Sequence, residues 1–135
     1  MIDISVSARI AAGETEVEGL CLRIRTELAA LPDSADRFAL ELLCREALAN
    51  AIEHGCGQDR SKTVELKLEI SGRLARGRVR DEGGGFFGPS EEPGGELHER
   101  GKGIIIMRRY SDTLRFEDGG RAVVFERRID GGRGP

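Results

Sequence analysis

The sequence predicts an α+β fold, a two-layer α/β sandwich in which helices cover one face of a mixed, mostly antiparallel sheet. Some segments alternate apolar and polar residues and others repeat apolar residues at helical spacing, in the order β-α-α-β-β-α-β-β. Short turns join two pairs of consecutive strands, which favours antiparallel pairing. The 135 residues have the size of one compact domain. We expect this domain to span residues 1–130 and residues 131–135 to form a frayed tail.

The first part of the chain predicts one strand and two helices. The strand is predicted by alternating apolar residues at Ile2, Ile4, Val6 and Ala8. A first helix follows until Pro32, and Thr15 and Glu18 have the spacing of a capping box at its start. A second helix is predicted from about residue 34 to residue 54, with Gly55 as its stop signal.

The later strands are predicted by the same alternation. Residues 64–70 indicate a half-buried strand, and Ser71-Gly72 is a plausible tight turn into a strand at residues 74–81. The chain closes with a hairpin of residues 113–117 and 121–127 around a glycine-rich turn. These elements complete the predicted sheet.

Composition restricts the classes of function. The net charge of -3 gives no electrostatic footprint for nucleic acid, and no apolar run reaches the roughly 18 residues of a membrane span. The N-terminal segment lacks the layout of a signal peptide, so we expect a cytoplasmic protein without a membrane partner. Cys21, Cys44 and Cys56 lack metal-ligand spacing, and we interpret them as structural residues.

The second helix carries polar residues that a packing helix does not need. Glu46, Asn50 and His54 lie at i, i+4 and i+8, which places them on one stripe of a helix. Most of the remaining circumference is apolar, so we expect burial to draw Glu46 and Asn50 inside. An unpaired amide there costs about 1 to 3 kcal/mol. Either the stripe faces a cavity that holds a cation and a ligand, or it reaches solvent at the sheet edge.

The third predicted strand ends in a carboxylate followed by glycines. Asp81 has the same parity as Gly77 and Val79, so we expect its side chain on the inner face of the sheet. A carboxylate only accepts hydrogen bonds and suits an exocyclic amine, while Gly83 and Gly85 let the backbone approach a flat ligand. The alternative is a strand that ends in an ordinary acidic turn.

A glycine-rich segment precedes the third predicted helix. Residues 82–103 show little periodicity, so we expect a long loop and then a helix at residues 104–110. The residues before that helix are Arg100, Gly101, Lys102 and Gly103. Free amides and the helix dipole favour an anion there, and the two cations add charged donors. Phosphate binding is one interpretation of this motif and an ordinary loop is the other.

These three features, in this order, resemble the N, G1 and G2 boxes of the gyrase, chaperone, histidine-kinase and mismatch-repair ATPase superfamily. The motifs are E-x-x-x-N-A-x-x-H, D-x-G-x-G-F and G-x-G, and the resemblance covers about residues 35–127. It implies a histidine-kinase-like ATPase fold that binds ATP and Mg²⁺. It also implies that Asn50 holds the Mg²⁺, that Asp81 accepts a hydrogen bond from the adenine amine, and that residues 87–102 form a lid.

Within this superfamily the chain is most similar to the anti-sigma-factor serine kinases, which have a Glu four residues before the Asn of the N box. The resemblance implies that Glu46 is the general base for a serine or threonine hydroxyl of a small antagonist protein. It further implies regulation of a sigma factor or similar target by partner switching, and a homodimer. No histidine precedes Glu46, so we do not expect a sensor histidine kinase.

We therefore expect an ATP-dependent protein serine/threonine kinase of anti-sigma-factor type. The alternative from another class is a nucleotide-binding switch that sequesters a partner and transfers no phosphate. A third interpretation is a structural α/β domain that binds no ligand. It would require that the three motifs occur in this order by chance.

Overall fold

The computed structural model describes residues 3–55, 61–82 and 95–129, which form five strands and three α-helices. The elements are β1 Asp3–Ala11, α1 Glu14–Leu28, α2 Ser34–Asn50, β2 Thr63–Ser71, β3 Leu74–Asp81, α3 Gly95–Tyr110, β4 Thr113–Glu117 and β5 Ala122–Arg128. The predicted element order is confirmed. The predicted tail at residues 131–135 and the prediction for Cys56 lie outside the described residues.

The sheet has the strand order β1-β2-β3-β5-β4, and each of these neighbouring pairs is antiparallel. The predicted α+β sandwich is confirmed, but within the described residues the sheet is wholly antiparallel rather than mixed. The reason is topological, because β2–β3 and β4–β5 are hairpins and β5 lies between β3 and β4. Gly72, with φ of +60°, and Arg73 form the β2–β3 turn, one residue later than predicted.

The core lies between the helices and one face of the sheet. Alternate residues of β2 and β3 are buried, as the period of two predicts for a sheet covered on one side. The helices contribute their own buried stripes, and Cys21 and Cys44 are buried free thiols within them. Burial raises the pKa of both thiols, so they pack as small apolar groups and our interpretation of them is confirmed.

Gly77 of β3 allows the largest fully buried side chain to pack against the sheet. Gly77 is paired directly with Phe125 of β5. A Cβ atom at Gly77 would lie 2.1 Å from Cζ of Phe125, whose side chain is fully buried. Glycine is therefore required here because the ring occupies the space over β3.

The two N-terminal helices begin differently. Asp33 caps α2, because its Oδ1 accepts a hydrogen bond of 2.9 Å from the backbone N–H of Ala35. The capping box predicted for α1 is wrong. That helix begins at Glu14, so Thr15 lies inside the first turn, and Glu18 instead accepts a hydrogen bond of 2.7 Å from Arg45 on α2.

A buried ion pair joins β5, α2 and α3. The guanidinium of Arg127 donates through Nη2 and Nε to Oδ1 of Asp36, at 3.0 and 3.2 Å, and through Nη1 to the carbonyl of Tyr110 at 2.9 Å. The side chain of Asp36 is 2% exposed and that of Arg127 is 13% exposed. This contact, the Arg127 clamp, fixes the start of α2 beside the end of α3.

Replacing Arg127 should destabilise the fold far more than replacing a surface arginine. Arg127→Met leaves a buried carboxylate without its cation, which typically costs about 3 to 5 kcal/mol. Arg115→Met is the matched control, because Arg115 pairs with Glu117 on the exposed face of the sheet, and such pairs contribute at most about 1 kcal/mol. Urea unfolding measures both variants, and equal losses would contradict the role of the clamp.

Candidate functional site

The polar stripe of α2 is drawn inside as its sequence predicts. Asn50 is 8% exposed, and its Nδ2 has no hydrogen-bond partner among the described residues. Glu46, one turn earlier, is half-buried. Burial and the nearby Glu53 raise the pKa of the Glu46 carboxyl, while Arg45 lowers it. These observations favour the interpretation in which the stripe faces a cavity over the one in which it reaches solvent at the sheet edge.

The helix changes its winding immediately after Asn50. Residues Ala51–Gly55 form a π-helical turn that continues α2 to the predicted stop at Gly55. The backbone of His54 belongs to this turn, and the stripe position predicted for its side chain stays a prediction. The side chain of His54 lies outside the described residues. Short π segments inside helices often mark functional sites.

Asp81 lies at the end of β3 on the inner face of the sheet, as predicted. It is 4% exposed, and its backbone N–H donates a hydrogen bond of 2.8 Å to the carbonyl of Arg121. Asn50 and Asp81 line one narrow cavity of about 10 Å³, together with Val79 and Phe116. This space holds about one water molecule. The fold therefore brings the residues of two separate sequence motifs to one place.

The start of the third helix differs from the prediction. We expected α3 to begin at Ile104, with residues 82–103 as a loop, but it begins at Gly95. Gly103 consequently lies inside a helix, where its backbone N–H belongs to the helical hydrogen-bond pattern. The predicted free amides before Ile104 are absent from this conformation. The packing of α3 along α2 stabilises this longer helix.

Gly103 is the point at which α3 approaches the polar stripe of α2. A Cβ atom at Gly103 would lie 3.2 Å from Oε1 of Glu46, 3.6 Å from Oδ1 of Asn50 and 3.9 Å from Nδ2 of Asn50. The first of these separations is tighter than an ordinary van der Waals contact. Because Gly103 has no side chain, α3 can approach α2 closely at this point. The contact places the G-x-G motif next to the E-x-x-x-N motif.

The remaining predicted site residues are only partly described. Lys102 is exposed on α3. The backbone of Arg100 and Gly101 belongs to α3, but the side chain of Arg100 lies outside the described residues. Gly83 and Gly85 also lie outside them. Of the lid predicted for residues 87–102, residues 87–94 lie outside the described residues, and the backbone of residues 95–102 belongs to α3. The phosphate-binding roles predicted for these residues stay predictions.

Arg121 was not among the residues that the sequence predicts for the site. It follows the β4–β5 turn, directly opposite the end of β3, and it lines the same cavity as Asp81 and Asn50. Arg121 lies one residue before β5 and is exposed. Arg121 lies near Asp81 only because β3 pairs with β5, and no local sequence pattern predicts that pairing.

A hard cation such as Mg²⁺ could bind here through the amide oxygen of Asn50 together with the phosphate oxygens of a bound substrate. Mg²⁺ prefers oxygen ligands and is usually bound by one or two protein groups together with phosphates. Asn50 supplies a buried amide oxygen, and its unpartnered Nδ2 marks a polar position that the described protein residues leave unsatisfied. No group of three metal-ligating side chains occurs among the described residues. The unpartnered Nδ2 is a donor and suits an acceptor such as a phosphate oxygen, while the role of the Asn50 amide oxygen as a Mg²⁺ ligand stays a prediction.

Comparison with known proteins identifies the family. The sequence pattern of the histidine kinase-like ATPase domain matches residues 10–127, so the chain belongs to that family. Membership in an ATPase domain family implies that the chain binds ATP. No curated protein sequence matches the chain. No helix in the described ranges is long and apolar enough to cross a membrane.

Two solved structures share the fold. One contains the RsbU and RsbW domains of Rv1364c from Mycobacterium tuberculosis, with a TM-score of 0.66 and 16% identity over 93% of this chain and 31% of that chain. The other is the histidine kinase domain of the blue-light activated histidine kinase EL346 from Erythrobacter litoralis, with a TM-score of 0.52 and 21% identity over 89% of this chain and 61% of that one. The chain therefore spans less than two thirds of either solved chain.

Asp81→Asn should weaken ATP binding by about 1 to 3 kcal/mol, because an amide presents a mixed donor and acceptor to the adenine amine. Isothermal titration calorimetry with ATP and GTP measures the effect. Glu69→Gln, an exposed position on the other face of the sheet, is the control and should bind ATP as the wild type does. Equal affinity of the wild type for ATP and GTP would remove Asp81 from the adenine role.

Gly103→Ala should reduce ATP affinity, whereas Gly19→Ala should not. Alanine at position 103 would place a Cβ atom 3.2 Å from Oε1 of Glu46 and 3.6 Å from Oδ1 of Asn50, so it crowds the polar stripe of α2. If ATP binds at this stripe, affinity should fall roughly fivefold. Gly19 lies within α1 with nothing within 4 Å of its Cβ position, so its variant is the control. Isothermal titration calorimetry measures both variants, and equal ATP affinity would show that the contact at Gly103 takes no part in binding.

Proposed function

We propose that this protein is an ATP-dependent serine/threonine kinase of anti-sigma-factor type, which acts in the cytoplasm. It phosphorylates a small antagonist protein and thereby regulates a sigma factor or similar target by partner switching. Membership in the histidine kinase-like ATPase family supports nucleotide binding. The kinase assignment goes further and rests on the arrangement around α2.

The observation that carries the proposal is the meeting of Glu46, Asn50 and Gly103. Glu46 is a half-buried carboxylate with a raised pKa, and Asn50 is a buried amide one turn away. Burial makes Glu46 a stronger base than an exposed glutamate, which suits removal of a proton from an alcohol. A helix that only packs against a sheet has no need for either polar group.

In the proposed reaction each described residue has a separate task. Asp81 fixes the adenine end of ATP through its exocyclic amine, and Asn50 supplies a ligand to Mg²⁺, which neutralises charge on the phosphates when bound. Glu46 accepts the hydroxyl proton of the partner's serine or threonine. The hydroxyl oxygen forms a bond to the γ-phosphorus, the bond from that phosphorus to the β–γ bridging oxygen breaks, and ADP leaves.

One observation favours a second candidate, a non-catalytic ATP- or ADP-binding switch that sequesters a partner. In this conformation Gly103 of α3 lies beside Oε1 of Glu46, so the helix itself occupies one side of the carboxylate. A base displaced by about 1 Å from productive geometry loses much of its catalytic effect. The two candidates differ in a single measurable property, the transfer of phosphate to a protein.

Glu46→Gln should leave folding and ATP affinity nearly unchanged and almost abolish phosphotransfer. Glutamine keeps the volume and polarity of the side chain but takes no proton, and loss of a general base typically costs about 100- to 10,000-fold in rate. Transfer from labelled ATP to candidate antagonist proteins measures the rate, and calorimetry measures ATP affinity.

Asn50→Ala is the comparison variant and should lose both phosphotransfer and the Mg²⁺ dependence of ATP binding. If Glu46→Gln phosphorylates the partner at the wild-type rate, Glu46 is not the base. If the wild type binds ATP and phosphorylates none of the candidates, the switch takes precedence over the kinase.

A further inference from the structure

Strand β1 forms one edge of the sheet, and among the described residues it pairs with β2 alone. The pairing runs over the whole strand, from Asp3 to Ala11, without a bulge. At nine residues β1 is longer than a typical strand, and it contains neither proline nor glycine. Natural proteins protect sheet edges with short strands, prolines, bulges or charged side chains. Strand β1 lacks the first three of these protections, so its edge is a template for another strand.

The opposite edge of the sheet is protected in the usual way. Strand β4 covers only Thr113–Glu117, and Arg115 and Glu117 form an ion pair on it. That edge is therefore short and charged. The two charged residues of β1, Asp3 and Arg9, lie towards its ends instead, with five uncharged residues between them. The centre of β1 is thus open to pairing, whereas the centre of β4 is not.

The hydrogen bonds around β1 identify which of its backbone groups face outward. The N–H of Ala12 donates a bond of 3.0 Å to the carbonyl of Lys62, which continues the register of β1 and β2 by one residue. Because hydrogen-bonded pairs alternate in an antiparallel ladder, the even-numbered residues of β1 bond β2 and the odd-numbered residues direct their N–H and C=O groups to the open edge. The carbonyl of Ser7 agrees with this assignment, since it accepts a bond of 3.4 Å from Nη1 of Arg23 on α1.

Part of this outward row is already bonded within the chain. The N–H of Gly13 donates a bond of 2.9 Å to the carbonyl of Ala11, which closes that end of the edge. The outward N–H groups of Ser5, Ser7 and Arg9 donate to no described residue. An added strand therefore pairs along the earlier part of β1 rather than at Ala11.

Two copies of β1 fit each other in one antiparallel register. Since the outward groups belong to odd-numbered residues, odd-numbered residues of the two copies must lie opposite each other. When Val6 faces Val6 of a second copy, Asp3 lies opposite Arg9 and Ser5 lies opposite Ser7. Opposite charges in such directly facing positions stabilise a sheet. A shift of two residues in either direction loses the pairing of Asp3 with Arg9.

We propose that two copies of this chain associate through β1 in this register, which joins the five strands of each copy into one continuous antiparallel sheet. Arg9 then lies between Asp3 of the second copy and Glu65 of its own chain, which accepts a bond of 3.0 Å from Nε of Arg9. A guanidinium has five N–H donors, so it serves both carboxylates. The interface is two-fold symmetric, as in most homodimers. It contains none of the predicted site residues, so the inference does not rest on the proposed function.

Disulfide trapping tests the register. Facing residues of a hydrogen-bonded pair have Cα atoms about 5.5 Å apart, which a disulfide spans. On mild oxidation a mixture of Ser5→Cys chains and Ser7→Cys chains should form a cross-linked dimer at least about tenfold faster than either variant alone, because identical residues are diagonal neighbours about 7–8 Å apart. Every chain also carries Cys56→Ser, and the native thiols of Cys21 and Cys44 are buried.

Ser5→Pro should convert the dimer to a monomer in sedimentation equilibrium and leave the fold intact. The N–H of Ser5 faces the open edge, so its removal breaks bonds only to the second copy, and proline is tolerated at such edge positions. Ser5→Ala keeps the N–H and is the matched control, which should stay dimeric. Thermal midpoints show whether each variant is folded, and the disulfide mixture decides if Ser5→Pro unfolds.

Asp3→Lys should raise the dissociation constant of the dimer about tenfold, since two symmetric pairs with Arg9 change from attraction to repulsion. Glu69→Lys is the matched charge reversal. Glu69 is exposed on β2, one strand away from the edge, so its variant should dissociate as the wild type does. Sedimentation equilibrium without ATP measures both dissociation constants.

Four results would overturn the proposal. The first is a monomer at every concentration in sedimentation, and the second is a dimer that survives Ser5→Pro, because it uses another surface. The third is cross-linking of either cysteine variant alone as fast as the mixture. The fourth is an equal dissociation constant for Asp3→Lys and Glu69→Lys. Since no ATP is present, these results leave nucleotide binding and phosphotransfer to be judged by their own experiments.

Discussion

The Arg127 clamp is the constraint on which the arrangement of the helix layer depends. One guanidinium bonds a buried carboxylate at the start of α2 and a backbone carbonyl at the end of α3, while its own strand, β5, lies between β3 and β4. These contacts set the axial position of one helix relative to the other. The position of Gly103 against Glu46, two turns away, follows from that register. The ion pair therefore specifies an arrangement even where it adds little net stability.

The site combines several features that would destabilise a protein without a ligand. Asp81 is a carboxylate that is 4% exposed, and Asn50 is a buried amide with an Nδ2 atom that no described residue satisfies. A buried amide nitrogen without a partner costs about 1 to 3 kcal/mol. The helix that carries Asn50 then changes to π winding within one residue. Such local costs concentrate at functional sites, which agrees with the family to which the chain belongs.

The third helix lies beside the polar stripe of α2 and also forms part of the protein surface. Gly101 and Gly103 weaken its first turns, since glycine is about 1 kcal/mol less favourable than alanine in a helix. A segment of this composition changes between helix and loop at small cost. The same helix presents Ile105 and Arg109 to solvent. A change in its first turns would therefore alter the contact between Gly103 and Glu46.

The sequence alone determined the parts of the structure that depend on local periodicity. The order of elements, the inward position of Asp81 and the shared stripe of Glu46 and Asn50 follow from periods of two and 3.6 residues. The start of α3 was misplaced, because packing along α2 outweighs the low helix propensity of its glycines. Only the tertiary structure placed Arg121 opposite Asp81 and Gly103 beside Glu46. Those pairs are 40 and more residues apart in the chain, and no local pattern encodes which distant surfaces meet, since their contact is decided by how strands pair and helices pack.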